Sequence, residues 1–132
     1  MQLRNFKTLW GHTTSIEDAA LLAKAANFSG LEAPAVHAAP GHLPALANAL
    51  AEHELEWIQE ICTAGSYVPR RHASVSEHLE DLEAQILMGK PLAPRFVNVM
   101  GGCDAWPVAT SVEFFKAAMD IADKHGVLCS FE

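Results

Sequence analysis

The chain has 132 residues, of which half are hydrophobic and 19% charged, with a net charge of -7. That is the size and composition of one domain with a true core, spanning 1–132. The acidic balance argues against a nucleic-acid surface, and no apolar run reaches the roughly 20 residues of a membrane span.

The elements alternate in chain order. NFKTLWG (5–11) reads as a first strand closed by a glycine turn. The next stretch, TTSIEDAALLAKAANFSG, reads as a helix opened by a Thr14/Glu17 capping box, with Ile16, Ala19, Ala20, Ala23 and Ala26 on one face. GLEAPAV is a second strand cut short by Pro34. GHLPALANALAEHE is a second helix with Leu43, Leu46, Ala47 and Leu50 in its stripe. LEWIQEICTAG is a third strand. SVSEHLEDLEAQILMG is a third helix, with a Ser74/Glu77 box, a stripe of Val75, Leu79, Leu82 and Ile86, and a stop at Gly89. PRFVNVMGG is a fourth strand. TSVEFFKAAMDIADKHG is a fourth helix with a Thr110/Glu113 box and an end at Gly126, and VLCSFE is a fifth strand.

Strands joined through helices are parallel, with right-handed crossovers. Two architectures share the pattern. One is about half of a (β/α)8 TIM barrel, which as a whole needs about 250 residues. The other is an open five-stranded doubly wound sheet. No G-x-G-x-x-G, G-x-x-x-x-G-K-[ST], H-E-x-x-H or G-x-S-x-G is present, so a dinucleotide, ATP, zincin or α/β-hydrolase function is unsupported.

Cys62, Cys103 and Cys129 are odd in number, with no C-x-x-C pair. The N-terminus lacks a long apolar stretch. Both features read as reduced thiols in a cytoplasmic protein without a signal peptide.

In parallel α/β folds, chemistry sits at the carboxyl ends of the strands. Those ends carry Trp10 and His12, then Glu32 and His37, Glu60 and Tyr67, Asn98 with Gly101, Gly102, Asp104 and Trp106, and lastly Glu132. Strand alternation sorts them. With Val97 and Val99 toward the helices, Asn98 points inward. With Val127, Cys129 and Phe131 toward the helices, Ser130 and Glu132 point inward; with Leu31 and Ala33 outward, so does Glu32. Strand one is ambiguous, because an inward Trp10 leaves Lys7 among the helices. Plainer readings stand beside these. An inward Glu can be a structural hydrogen-bond partner. Trp10 and Trp106 can be packing residues, and a loop histidine such as His12 is commonly inert. His42, His53, His78 and His125 are read as solvated, and the Glu77, Glu80, Asp81, Glu83 run as a solvated face. Cys103 has no histidine partner fixed by sequence.

FKTLWG, GLEAP, FVNVMGGCDAW and GVLCSFE follow one another in an order that resembles the N-terminal half of the xylose-isomerase-like TIM barrels, the sugar phosphate isomerase/epimerase superfamily. The resemblance spans essentially the whole chain. It implies a sugar or sugar-phosphate isomerase or epimerase holding a divalent metal (Mn, Mg, Co or Zn) at the carboxyl end of the barrel. By that resemblance Glu132 is the first metal ligand and a catalytic acid/base. Trp10, His12, Glu32, Asp104 and Trp106 match where the family's substrate pocket lies, and Asn98, inward by strand alternation, is a candidate substrate-binding residue beside them. The family's remaining ligands come from strands six to eight, for which this sequence has no counterpart. The expectation is therefore an incomplete site, inactive alone. It is completed by a missing C-terminal half or by self-association into a homo-oligomer, and the alternative is a non-catalytic half-barrel module.

Overall fold

The computed structural model describes residues 3–132; Met1 and Gln2 of the expected 1–132 domain lie outside the described residues. Five strands alternate with four helices: β1 (Phe6–Thr8), α1 (Ile16–Ala25), β2 (Gly30–Pro34), α2 (Leu43–Glu52), β3 (Glu56–Cys62), α3 (Val75–Gly89), β4 (Phe96–Met100), α4 (Val108–His125) and β5 (Cys129–Phe131). All four strand pairs are parallel, and the sheet order is β1-β2-β3-β4-β5. A doubly wound sheet reverses its strand order at a switch point. This one does not, and same-handed crossovers then place every helix on one face. The chain is about half of a TIM barrel.

The helix-side core has two parts. Ala19, Ala20 and Ala23 of α1 and Leu46, Ala49 and Leu50 of α2 pack on Leu31, Ala33 and Trp57. Leu82 and Ile86 of α3 and Phe114 and Ala118 of α4 pack on Ile61, Val97 and Val99. The stripe expected on α1 ends at Ala23, since Ala26 is exposed. Close packing also explains Gly30. A Cβ there would lie 2.2 Å from the Glu56 carbonyl oxygen, so only glycine lets β2 approach β3 at that point.

Helix starts agree with the sequence reading at α3, where Ser74 and Glu77 form the capping box. They differ at α1 and α4. At α1 the box is Ser15 with Asp18, one residue later than Thr14/Glu17. Both pairs have the required spacing, and Ser15 has the extended backbone of a cap. At α4 no side chain caps the helix. Pro107 sits at the N-cap, so the helix begins before Thr110. The α4 end is as expected, with Gly126 at φ 66°, the left-handed conformation that favours glycine.

Candidate functional site

Parallel alternation leaves a second set of side chains on the face opposite the helices. Strand one is resolved by Leu9, which packs in the helix-side core. Trp10 is then on the inner side and Lys7 is not. Lys7 satisfies its ammonium on the Thr8 carbonyl, at 3.2 Å. On β4 and β5 the pairing aligns Glu60 with Asn98 and Asn98 with Ser130. Val127, Cys129 and Phe131 pack toward α3 and α4.

Asn98 is the hub of this face. Its Nδ2 donates to Glu132 Oε1 at 3.0 Å and to Glu32 Oε1 at 3.4 Å, while its Oδ1 accepts from the Ser130 hydroxyl at 2.9 Å. One amide thus ties β2, β4 and the residue after β5. Glu132 is fixed through its backbone as well, donating its N–H to the Val99 carbonyl at 3.0 Å. Burial raises the Glu32 pKa above the usual carboxylate range. The Glu60 and Glu132 charges add to that rise, and the Asn98 hydrogen bond opposes it.

Two further residues join the group that sequence reasoning placed at strand tips without choosing them. Glu60, only 6% exposed, accepts a hydrogen bond from the Tyr67 hydroxyl at 2.5 Å. The signal for Glu60 was its place in WIQEIC, two residues from Ile58 on the inner face. Tyr67 sits on a loop and had no periodic signal. Glu132 lines a cavity of about 260 Å³ with Thr63, Tyr67, Gly101, Gly102 and Asp104.

The structure thus brings together Glu32, Asn98 and Glu132, with Asp104 on the cavity wall and Trp10 edge-on to Tyr67. It does not bring His12 or Trp106 into that group. The His12 ring bonds the Ser15 carbonyl and Thr14 hydroxyl, bracing the start of α1. Trp106 turns toward the helices, 4.9 Å from the His78 ring and 5.6 Å from Phe114, centroid to centroid. His78, expected to be solvated, is not. It is fully buried, with Nδ1 2.6 Å from the Thr63 hydroxyl and Nε2 lacking a partner. His125 is also largely covered, bonded to Glu83 at 2.7 Å. Asp81, expected on a solvated face, accepts the Ala64 N–H at 2.7 Å and so holds the loop after β3. Burial, together with the Glu60 and Asp81 charges, pushes the Cys62 thiol up to about 11, which leaves it a poor nucleophile.

Among the described residues, no group of three or more His, Cys, Asp and Glu side chains could hold a metal ion. The donor set agrees. A hard divalent cation takes about six oxygen ligands. Here Glu32 and Glu132 share one amide, and Glu60 is occupied by Tyr67. The implied metal does not fit these residues by themselves. No helix among the described residues is long and apolar enough to cross a membrane.

No protein-family profile matches the sequence, and no curated protein matches it either. Solved structures do. The 3-keto-D-glucoside 4-epimerase YcjR of E. coli superposes with a TM-score of 0.75 at 9% identity, over 98% of this chain and 56% of that one. D-psicose 3-epimerase, solved in the presence of D-fructose, gives 0.72 at 12% identity, over 96% of this chain and 51% of that one. The IOLI protein with a bound zinc atom gives 0.70 at 13% identity, over 98% and 51%. The likeness is one of fold: about half of a TIM barrel. The chain spans about half the length of these three proteins.

Proposed function

We propose that this chain supplies the N-terminal half of the site of a sugar isomerase or epimerase acting on a small sugar or sugar phosphate. The observation that carries the reading is the Glu32–Asn98–Glu132 group, at the barrel end where this fold keeps its chemistry. Epimerisation removes a proton next to a carbonyl and returns it to the other face. That calls for one group that accepts a proton and one that holds it. Glu132 is the acceptor: it is exposed on the cavity wall, with Oε1 oriented by Asn98. Glu32 is the holder in this reading: it shares the Asn98 amide with Glu132, and burial raises its pKa. A divalent metal, in this reading, takes Glu132 as one ligand and its other ligands from outside the described residues. In this reading the protein is cytoplasmic, which its three free cysteines support.

The test is exchange of solvent deuterium into D-fructose at the carbon next to its carbonyl, with Mn²⁺ supplied. Exchange by the wild-type chain that disappears in Glu132→Gln supports the reading. Equal exchange in Glu132→Gln removes Glu132 from it, and no exchange by the wild type favours the second reading below.

That second reading, a non-catalytic half barrel that self-associates, is favoured by a specific surface. Val108, Val112, Phe115 and Met119 are exposed along α4, and the Phe115 ring meets Phe131 of the edge strand β5 edge-on, with centroids 5.4 Å apart. A parallel sheet edge beside an apolar helix stripe is normally covered. Light scattering decides it: a concentration-dependent dimer that Phe115→Asp dissociates is expected, and a monomer at every concentration sinks it.

A further inference from the structure

Tyr67 is not used by the reading above, yet it stands at the centre of the strand-tip surface. It lines the cavity that holds Glu132 and also the neighbouring one, of about 230 Å³, that holds Glu60. Its ring meets Trp10 edge-on with centroids 4.2 Å apart, joining the loop after β1 to the loop after β3. Trp10 is 64% exposed and Tyr67 43%. Two aromatic faces therefore reach solvent at the mouth of a polar site. The Tyr67 loop is braced. Gly65 bridges to Pro69, and the Arg70 N–H donates to the Ala64 carbonyl at 2.9 Å. The aromatic pair is thus positioned before any ligand arrives.

The donors and acceptors left free at the strand tips decide what would bind there. The single Tyr67 hydroxyl hydrogen is committed to Glu60, so its oxygen is left to accept. Asn98 donates to Glu32 and Glu132, and Ser130 donates to Asn98. Most of the remaining side-chain capacity is on carboxylate oxygens and the Tyr67 oxygen, which accept, and the Ser66 hydroxyl at both cavities can accept or donate. Neither cavity is lined by Lys or Arg. Such a surface suits a ligand that brings several hydroxyl donors and no negative charge. The aromatic rings suit the C–H face of the same molecule.

We propose that Tyr67 is a specificity-determining residue. Its ring, braced by Trp10, packs the C–H face of an uncharged polyhydroxy sugar, and its oxygen, donating to Glu60, accepts a hydrogen bond from one sugar hydroxyl. This deepens the sugar isomerase or epimerase reading and rests on it.

The test is an NMR titration of the chain, following the Trp10 indole N–H, with D-fructose and D-fructose 6-phosphate as probes. The wild type is expected to bind D-fructose, and to bind the phosphate ester no more tightly. Losing the whole aromatic side chain in Tyr67→Ala is expected to weaken D-fructose about tenfold, and losing only the acceptor in Tyr67→Phe about threefold. Trp10→Leu, followed through backbone amides, is expected to weaken it as well and serves if Tyr67→Ala unfolds. Binding by the wild type that is unchanged in Tyr67→Ala overturns the role of Tyr67 and leaves the sugar reading standing. Tighter binding of the phosphate ester overturns the uncharged class. No response of the wild type to either probe overturns this proposal together with the reading beneath it.

Discussion

Nδ2 of Asn98 lies 3.0 Å from Oε1 of Glu132, across the ladder between β4 and the end of β5. The Ser130 hydroxyl fixes the amide in that sense by donating to its oxygen. The same Nδ2 reaches Glu32, so a single neutral side chain holds two carboxylates in register.

Removing that amide has a signed consequence. A hydrogen bond to the ionised form lowers a carboxylate pKa, so Asn98→Ala should raise Glu32 further above the usual range. The measurement is a ¹³C NMR titration of the glutamate carboxyls. A Glu32 titration that stays where it was, or moves down, contradicts the network. The loss of the amide's hydrogen bonds should also cost about 1 kcal/mol in chemical denaturation.

Glu32 carries its own stability prediction. Its folded pKa is raised, so the folded state binds its proton more tightly than the unfolded chain does. Its contribution is therefore fully present below the unfolded value, near 4.3, and is lost as pH rises through the folded value. At neutral pH the charged form is a burden. Glu32→Gln keeps an acceptor for Asn98 and should raise the melting temperature at pH 7, with the gain vanishing in acid. A melting temperature that falls at pH 7 would falsify this assignment.

His78 predicts the opposite slope. Burial and the Arg70 charge lower its pKa, against the smaller opposing pull of Asp81 and Glu77. The unfolded chain then takes up a proton that the folded one refuses. Stability should fall as pH drops through about 6.5, the unfolded histidine value. His78→Phe should remove that part of the acid sensitivity, read as a flatter midpoint-against-pH curve. His78→Ala should cost about 3 kcal/mol by emptying a site packed by Trp106 and Phe114.

These cases mark where the sequence was legible. Period-two alternation sorted Glu32, Asn98, Ser130 and Glu132 onto one face, because both faces of a parallel strand are constrained by what covers them. The same logic left β1 open, since Lys7 and Trp10 conflict, and the packing of Leu9 decided it. His78 was misread from its polarity, although its spacing of four and eight residues from Leu82 and Ile86 put it on the buried stripe. The frame of the α1 cap was ambiguous because Thr14/Glu17 and Ser15/Asp18 have equal spacing, and at α4 Pro107 overrode the Thr110 signal. The Trp106 and Tyr67 positions depend on loop paths, which periodicity does not encode.

The Glu60–Tyr67 pair gives a spectroscopically clean prediction, because Tyr67 is the single tyrosine of the chain. Burial, and then its hydrogen bond to the Glu60 carboxylate and that group's charge, push the hydroxyl well above its ordinary value of about 10. Tyrosinate absorbance should therefore appear only at strongly alkaline pH. In Glu60→Gln the hydrogen-bond acceptor remains but the charge is gone, so the titration should move down toward the ordinary value. Stability linked to Tyr67 should be present below about pH 10 and be lost as pH rises through the folded value, since the folded state holds the proton longer. Tyr67→Phe leaves the nearly buried Glu60 without its donor and should cost about 1–3 kcal/mol. Adding Glu60→Leu to Tyr67→Phe should recover part of that loss, because it removes the unpaired charge as well. A double variant whose loss equals the sum of the two single losses would show that the two side chains are not coupled, and with that the bracing of Tyr67 at the strand tips would fail.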